Sequence, residues 1–170
     1  AGEAAFAAAL ETHLLPLIDC IYAASLESRR WQQVVDSLSQ ALRGAGTSAV
    51  FFPAPGGIEP MRYASVASAS RGNELRRIYD YRLPWAAEVA RKAVERFIPI
   101  DFLVSEDDMA QTPFYREVMA PYGLPPMVPF VHVFANHGRE PIAAMAIFPG
   151  PQGPLRDVEI DFANRLAVHL

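Results

Sequence analysis

The sequence predicts an α+β domain in which helices cover both faces of an antiparallel sheet, and three observations carry that expectation. The first is a pair of strands in the second half of the chain: Val128 to Asn136 alternates around Phe130, His132 and Phe134, and Ile142 to Phe148 is the only later run long and apolar enough to pair with it. With His137 and Gly138 as the central turn residues, Val133 pairs with Ile142, His132 with Ala143, Val131 with Ala144 and Phe130 with Met145. One face then carries Val128, Phe130, His132, Phe134, Ala143, Met145 and Ile147; the other carries Val131, Val133, Ile142, Ala144, Ala146 and Phe148. Both faces are apolar, so both must be covered and the hairpin belongs at the centre of a layered domain. The second observation is another pair of short strands nearer the N-terminus, and the third is apolar residues at helical spacing at both ends of the chain.

In chain order, Phe6, Leu10, Leu14, Leu17 and Ile21 make one helical stripe, which Pro16 either kinks or restarts as a second helix from Leu17 to Leu26. Ser28 caps the next helix, which places Trp31, Val35, Leu38 and Leu42 on one face and ends at Gly44 or Gly46. Thr47 to Phe52 and Met61 to Ala67 are strands joined by the Pro53 to Gly57 turn. Gly72 to Leu83 is helical, and Pro84 stops it while opening a helix through Trp85, Val89 and Ala93. Phe97 to Leu103 contains Pro99, which confines it to a sheet edge. Ser105 caps an acidic first turn of Glu106, Asp107 and Asp108, where the helix dipole favours carboxylates. Thr112 and Pro113 suit the cap and first position of a short helix that Tyr122-Gly123 stops. After the hairpin and a loop from Pro149 to Pro154, Val158, Phe162, Leu166 and Leu170 form the stripe of a last helix with no stop signal, which reads as a helix continuing into something further.

Composition bounds the function. The chain has 170 residues, 51% of them apolar, and a net charge of −4 without a block of like charges, so nothing suggests a surface for DNA phosphates or anionic lipid. Fourteen of the fifteen basic residues are Arg, which carries no functional implication. Cys20 is the single cysteine, excluding an internal disulfide and a cysteine metal cluster within one chain. The first residues lack a basic n-region and no eighteen apolar residues run uninterrupted, so a soluble, cytoplasmic protein is expected, without a signal peptide or membrane span. No internal repeat or interior linker divides residues 1–170, which are read as a single domain.

Gly-x-Ser-x-Gly, His-Glu-x-x-His, the P-loop and Gly-x-Gly-x-x-Gly patterns are all absent, so hydrolase, zincin, NTPase and dinucleotide readings have no anchor and an enzyme is disfavoured. The acidic run at 106–108 lacks the alternating ligands and distal Glu of a calcium loop. His132 and His137 stand at odd spacing on a strand and cannot share a metal. No metal or cofactor is expected. The notable supply is aromatic: Tyr63, Tyr79, Tyr81, Trp85, Phe114, Tyr115, Tyr122, Phe130 and Phe134. Tyr and Trp line ligand pockets well because each offers apolar area with one hydrogen-bonding group. His132 opposite the small Ala143 would leave space and a polar group on that face, so the candidate ligand residues are Tyr63, Trp85, Phe114, Tyr115, Tyr122, Phe130, His132 and Met145. The Phe130, His132 and Met145 face would be the pocket floor, with Phe114, Tyr115 and Tyr122 its wall and the terminal helices on the opposite face. The competing reading of the same residues is an ordinary core with tyrosines at its margin.

Ile18-Asp-Cys-Ile-Tyr-Ala-Ala-Ser-Leu26 before Trp31-Gln-Gln-Val-Val-Asp-Ser-Leu38, then Pro84-Trp85, then Phe114-Tyr-Arg-Glu117 with Pro121-Tyr-Gly-Leu124, resembles the N-terminal sensory domain of LuxR-type helix-turn-helix transcriptional regulators. The similarity spans roughly residues 17 to 170, and its specificity lies in the order and spacing of motifs that are individually weak. It implies a GAF- or PAS-like antiparallel sheet of about five strands with helices on both faces. It also implies a C-terminal helix leading to a DNA-binding helix-turn-helix domain that this chain does not contain. Leu83 stands where these sequences often have an acidic residue, and Arg156 where a Ser or Thr cap is usual. The Trp, Tyr and Asp contacts of acyl-homoserine-lactone receptors have no clear counterpart here.

The expectation is therefore a ligand-sensing regulatory domain that binds a small, partly apolar molecule, signals through its last helix and forms a homodimer through its N- and C-terminal helices. DNA would be contacted only by the absent domain. A ligand-free dimerisation module is the alternative, and an acid/base enzyme using Asp101 and Asp108 a third.

Overall fold

A computed structural model describes residues 2–51, 61–65, 96–137 and 140–170. The stripe from Phe6 to Ala24 folds as one continuous helix, α1 (Gly2–Leu26), whose Leu10, Leu14, Leu17, Ile21 and Ala24 are buried. Pro16 neither ends nor restarts it. Its ring lies on the exposed side, so the helix loses one backbone hydrogen bond without a clash in the core. Ser28 does not cap the next helix. It opens a 3-10 turn (Ser28–Arg30) beside Glu27, whose carboxylate pairs with Arg30 and Arg29 and is held below the usual carboxylate range by those two guanidiniums, Arg30 first. α2 (Trp31–Ala41) follows and buries Trp31, Val34, Val35, Leu38 and Ala41.

The described strands form a five-stranded antiparallel sheet: β1 (Gly46–Phe51), β2 (Met61–Ser65), β3 (Ile98–Pro99), β4 (Phe130–His137) and β5 (Glu140–Phe148), in the order β2-β1-β5-β4-β3. The expected α+β class, the two hairpins and the proline-bearing edge strand are all present, with β3 shorter than the expected segment. The central register is two residues from the expected one. His137 pairs with Glu140, not with a turn partner, and His132 lies opposite Met145, not Ala143. An irregularity between Val133 and Ala135 accompanies the longer ladder, and because the offset is even, Phe130, His132, Met145 and Ile147 still share one face and Val131, Ala144, Ala146 and Phe148 the other. The Pro53 to Gly57 turn, the expected helices at 72–83 and 84–93, and Trp85 lie outside the described residues.

After β3, Ser105 caps α3 (Glu106–Gln111) by accepting the Asp108 N–H at 3.1 Å, as its acidic first turn suggested. The Thr112 hydroxyl accepts the Tyr115 N–H at 3.0 Å and leads into a π-helical turn (Tyr115–Met119) and a 3-10 turn (Ala120–Tyr122), which Gly123 stops at φ 70°. The last helix, α4 (Asp157–Ala167), ends three residues before the final leucine. His169 and Leu170 donate to Leu166 and Ala167, tightening the end.

Two cores flank the sheet. On the first face, Met145, Ile147 and Ala49 lie beneath the buried stripes of α1, α2 and α4, including Leu17, Leu38, Phe162 and Leu166. Each such leucine contributes about 1.5–3 kcal/mol relative to exposure. Trp31, Phe51 and Tyr63 form an aromatic ladder, 5.0 and 6.2 Å between successive centroids, and the Thr47 hydroxyl donates to the Val35 carbonyl at 2.6 Å. Together they seat α2 on β1 and β2. On the second face, Ile100, Val104, Met109, Phe114, Met119 and Leu124 gather around Phe148.

Candidate functional site

The two cores separate the sequence-predicted site residues. Phe130, His132 and Met145 were expected to floor a pocket turned away from the terminal helices; they face those helices instead. Met145 and His132 are buried, the His132 ring is 5.3 Å from Phe97, and Phe130 and Tyr63 pack against the same core. Phe114, Tyr115 and Tyr122 belong to the opposite layer and cannot wall that floor. Val128, assigned to the Phe130 face, also packs in the opposite layer, because it precedes the start of β4 and escapes its alternation. The reason for the reversal is bulk. Alternation defines two apolar faces, but the face with Met145 and Ile147 offers side chains that fill the space under amphipathic helices, and the other offers alanines.

The second face therefore holds the candidate site. Ser48 pairs with Ala64 on β2 and with Ala146 on β5; Ala146 pairs with Val131 on β4, and Val131 with Ile98 on β3. This row crosses all five strands, and three of its members are Ala, Ser and Ala. On β5 the first-face residues Ala143, Met145 and Ile147 are at most 2% exposed, whereas Ala144 and Ala146 on the second face are only half-buried. Ser48 itself is 3% exposed, and among the described residues nothing hydrogen-bonds its hydroxyl. On an otherwise apolar face, this hydroxyl is the one hydrogen-bonding group that the row offers a ligand or water.

One end of the row is closed. A Cβ on Gly46 would meet Leu124 Cδ1 at 3.1 Å and Phe148 Cβ at 3.3 Å, and Phe114 stands with its centroid 6.0 Å from that of Phe148. Half-buried Tyr115 and Tyr122 border the same layer, on a π-helical turn and the 3-10 turn after it. Wide turns of this kind are frequent at functional sites. The sequence signal for this floor was the Ala144, Ala146 alternation. It was legible, but read as a seat for helices.

A separate groove of about 730 Å³ runs between α1 and α4 over Leu10, Leu14, Ile18, Phe162 and Val168. Among its polar groups, Arg165 pairs with Glu11, whose carboxylate raises the guanidinium above its ordinary range, and the His169 ring bonds Tyr22 at 3.2 Å. Nearby, Leu15, Tyr22, Leu26 and Val168 are exposed. Among the described residues, α1 is also the one helix long and apolar enough to cross a membrane by length and composition, with a mean hydropathy of 1.4. Its leucine stripe lies in the protein core. Only 17% of the apolar window is buried, so the outward side remains available to a partner.

Among the described residues no three His, Cys, Asp or Glu side chains are placed to hold a metal ion. Asp108 also accepts the Ser105 hydroxyl at 2.8 Å. No protein-family model matches the chain, and no curated protein sequence matches it.

Proposed function

We propose that this is a ligand-sensing and dimerising regulatory domain of a bacterial, cytoplasmic transcriptional regulator of the LuxR type. It takes a small, partly apolar molecule on the second sheet face and passes the signal through α4 to a helix-turn-helix domain outside this chain. The observation that carries the sensing part is Ser48, a nearly buried serine set between Ala64 and Ala146 on the face whose central strand is left half-open. Alanine methyls would contact the flat apolar part of the ligand, Ser48 its hydrogen-bonding group, and Tyr115 and Tyr122 its edge. A ligand acts by binding one arrangement of the domain better than another.

A thermal-shift screen of small, partly apolar metabolites tests this. A true ligand stabilises by about 2.7 kcal/mol at roughly a hundredfold excess over Kd. Ala146→Phe should remove that stabilisation while leaving a folded domain, because Ala146 is only half-buried; in a filled core the same change costs about 1–3 kcal/mol. A hit that Ala146→Phe leaves untouched counts against the site.

The second reading, a dimerisation module without ligand, is favoured by the outward face of α1, where Leu15, Tyr22 and Leu26 are 70, 55 and 91% exposed. Leu15, Tyr22 and Leu26 are spaced by seven and four residues and lie on one side of the helix. Pairing through α1 and the end of α4 is common to both readings.

A further inference from the structure

The fastening of α4 is polar where its first turn meets the fold. Glu159, three residues into α4, is fully buried and accepts two hydrogen bonds from one guanidinium, Arg43 Nε and Nη2, each at 2.7 Å. The same carboxylate accepts the Arg156 N–H at 2.8 Å, satisfying a backbone donor at the helix start. Arg43 Nη2 also reaches the Pro154 carbonyl at 3.2 Å, and the ring of Phe6 on α1 lies 4.7 Å from the Arg156 guanidinium and 5.9 Å from that of Arg43. Arg43 holds φ at 56°, a left-handed conformation that a long side chain rarely adopts, with Gly44 following at 79°. Such a backbone persists only where its surroundings determine it, and here they aim the guanidinium at Glu159.

We propose that Arg43, Glu159 and Phe6 form a latch that holds the first turn of α4 on the α2–β1 turn, and that opening it frees α4 while the sheet stays folded. The pair is held by geometry: once the half-buried guanidinium moves, the fully buried carboxylate is an unpaired desolvated charge, and the contact does not slide but breaks. The rest of α4 is held by its buried apolar stripe, Phe162 and Leu166 among it, by Asn164 Oδ1 accepting the Phe97 N–H at 2.8 Å and by the exposed Arg165–Glu11 pair, contacts that can re-form after small displacements. The latched turn runs directly into β1, five residues before Ser48. Coupling to that residue rests on the reading above; the latch does not.

Amide hydrogen exchange of the unliganded protein tests it, with Arg43→Gly and Glu159→Gln. Glycine accepts the φ of position 43, so the first variant keeps the turn and removes the side chain with its guanidinium. Exchange within α4 should rise by about thirtyfold or more while β5 and the buried stripe of α1 change little, as expected for a sub-global opening. An equal rise in all elements, or none in α4, in Arg43→Gly overturns the latch. Glu159→Gln must then reproduce the pattern of Arg43→Gly, and failure to do so assigns the effect to the turn and also overturns it.

Discussion

Ser48 and Thr47 are neighbours on β1 with opposite fates. The Thr47 hydroxyl points to the helix face and is satisfied by the Val35 carbonyl; that of Ser48 points to the second face, where no described residue bonds it. Removing a satisfied buried group leaves its partner orphaned, whereas removing a hydroxyl that holds no partner leaves nothing orphaned. Ser48→Ala should accordingly leave the unliganded protein about as stable as the parent, and Thr47→Val should destabilise it by about 1–3 kcal/mol. Urea denaturation of both variants decides it. A clear loss of stability in Ser48→Ala would make the hydroxyl a structural group. Glu159 belongs to the first kind of residue, since its carboxylate holds the Arg43 guanidinium above its ordinary pKa and leaves it uncompensated if removed.

Among the elements, α1 is the one with two working faces. Its inward leucines anchor the first core, and its outward Leu15, Tyr22 and Leu26 have no such role. A dimer through α1 should dissociate in Leu15→Glu combined with Tyr22→Glu, without loss of helical content; sedimentation velocity and circular dichroism together read this. An unchanged sedimentation coefficient would remove α1 from the interface. The same helix illustrates what periodicity conveys. Its stripe was legible because leucines recur at helical offsets, but the outcome at Pro16 was not, because that depends on which side the ring faces. Strand alternation likewise yielded the faces of Phe130 to His132 on β4 and of Ala144 to Phe148 on β5, even with the pairing register misplaced by two residues. It could not say which face would meet α1, α2 and α4, since that depends on how Met145 and Ile147 fill space against Leu17, Leu38 and Phe162. The described candidate aromatics were consequently real packing residues assigned to one pocket, while Ser48, Ala64, Ala144 and Ala146 passed without notice as site residues.

At the scale of the molecule, the sheet separates two tasks. Its bulky face is built into a core with the terminal helices, where the Arg43–Glu159 pair and the outward side of α1 lie. Its small-residue face is bordered by Phe114, Tyr115 and Tyr122. A sensing domain needs this arrangement, because a signal must enter where the structure can accept a guest and leave through elements that another domain or copy can contact. The expected placement of ligand and output on opposite sides of one sheet is thus retained in the proposal with the sides exchanged. The most direct measurement is an amide chemical-shift map of isotope-labelled protein titrated with the best hit of the thermal-shift screen. Perturbations centred on Ser48, Ala64, Ala144, Ala146 and Tyr115 are the predicted result. Perturbations confined to the α1–α4 groove around Leu14 and Phe162, or to the His132 and Met145 face, would contradict it.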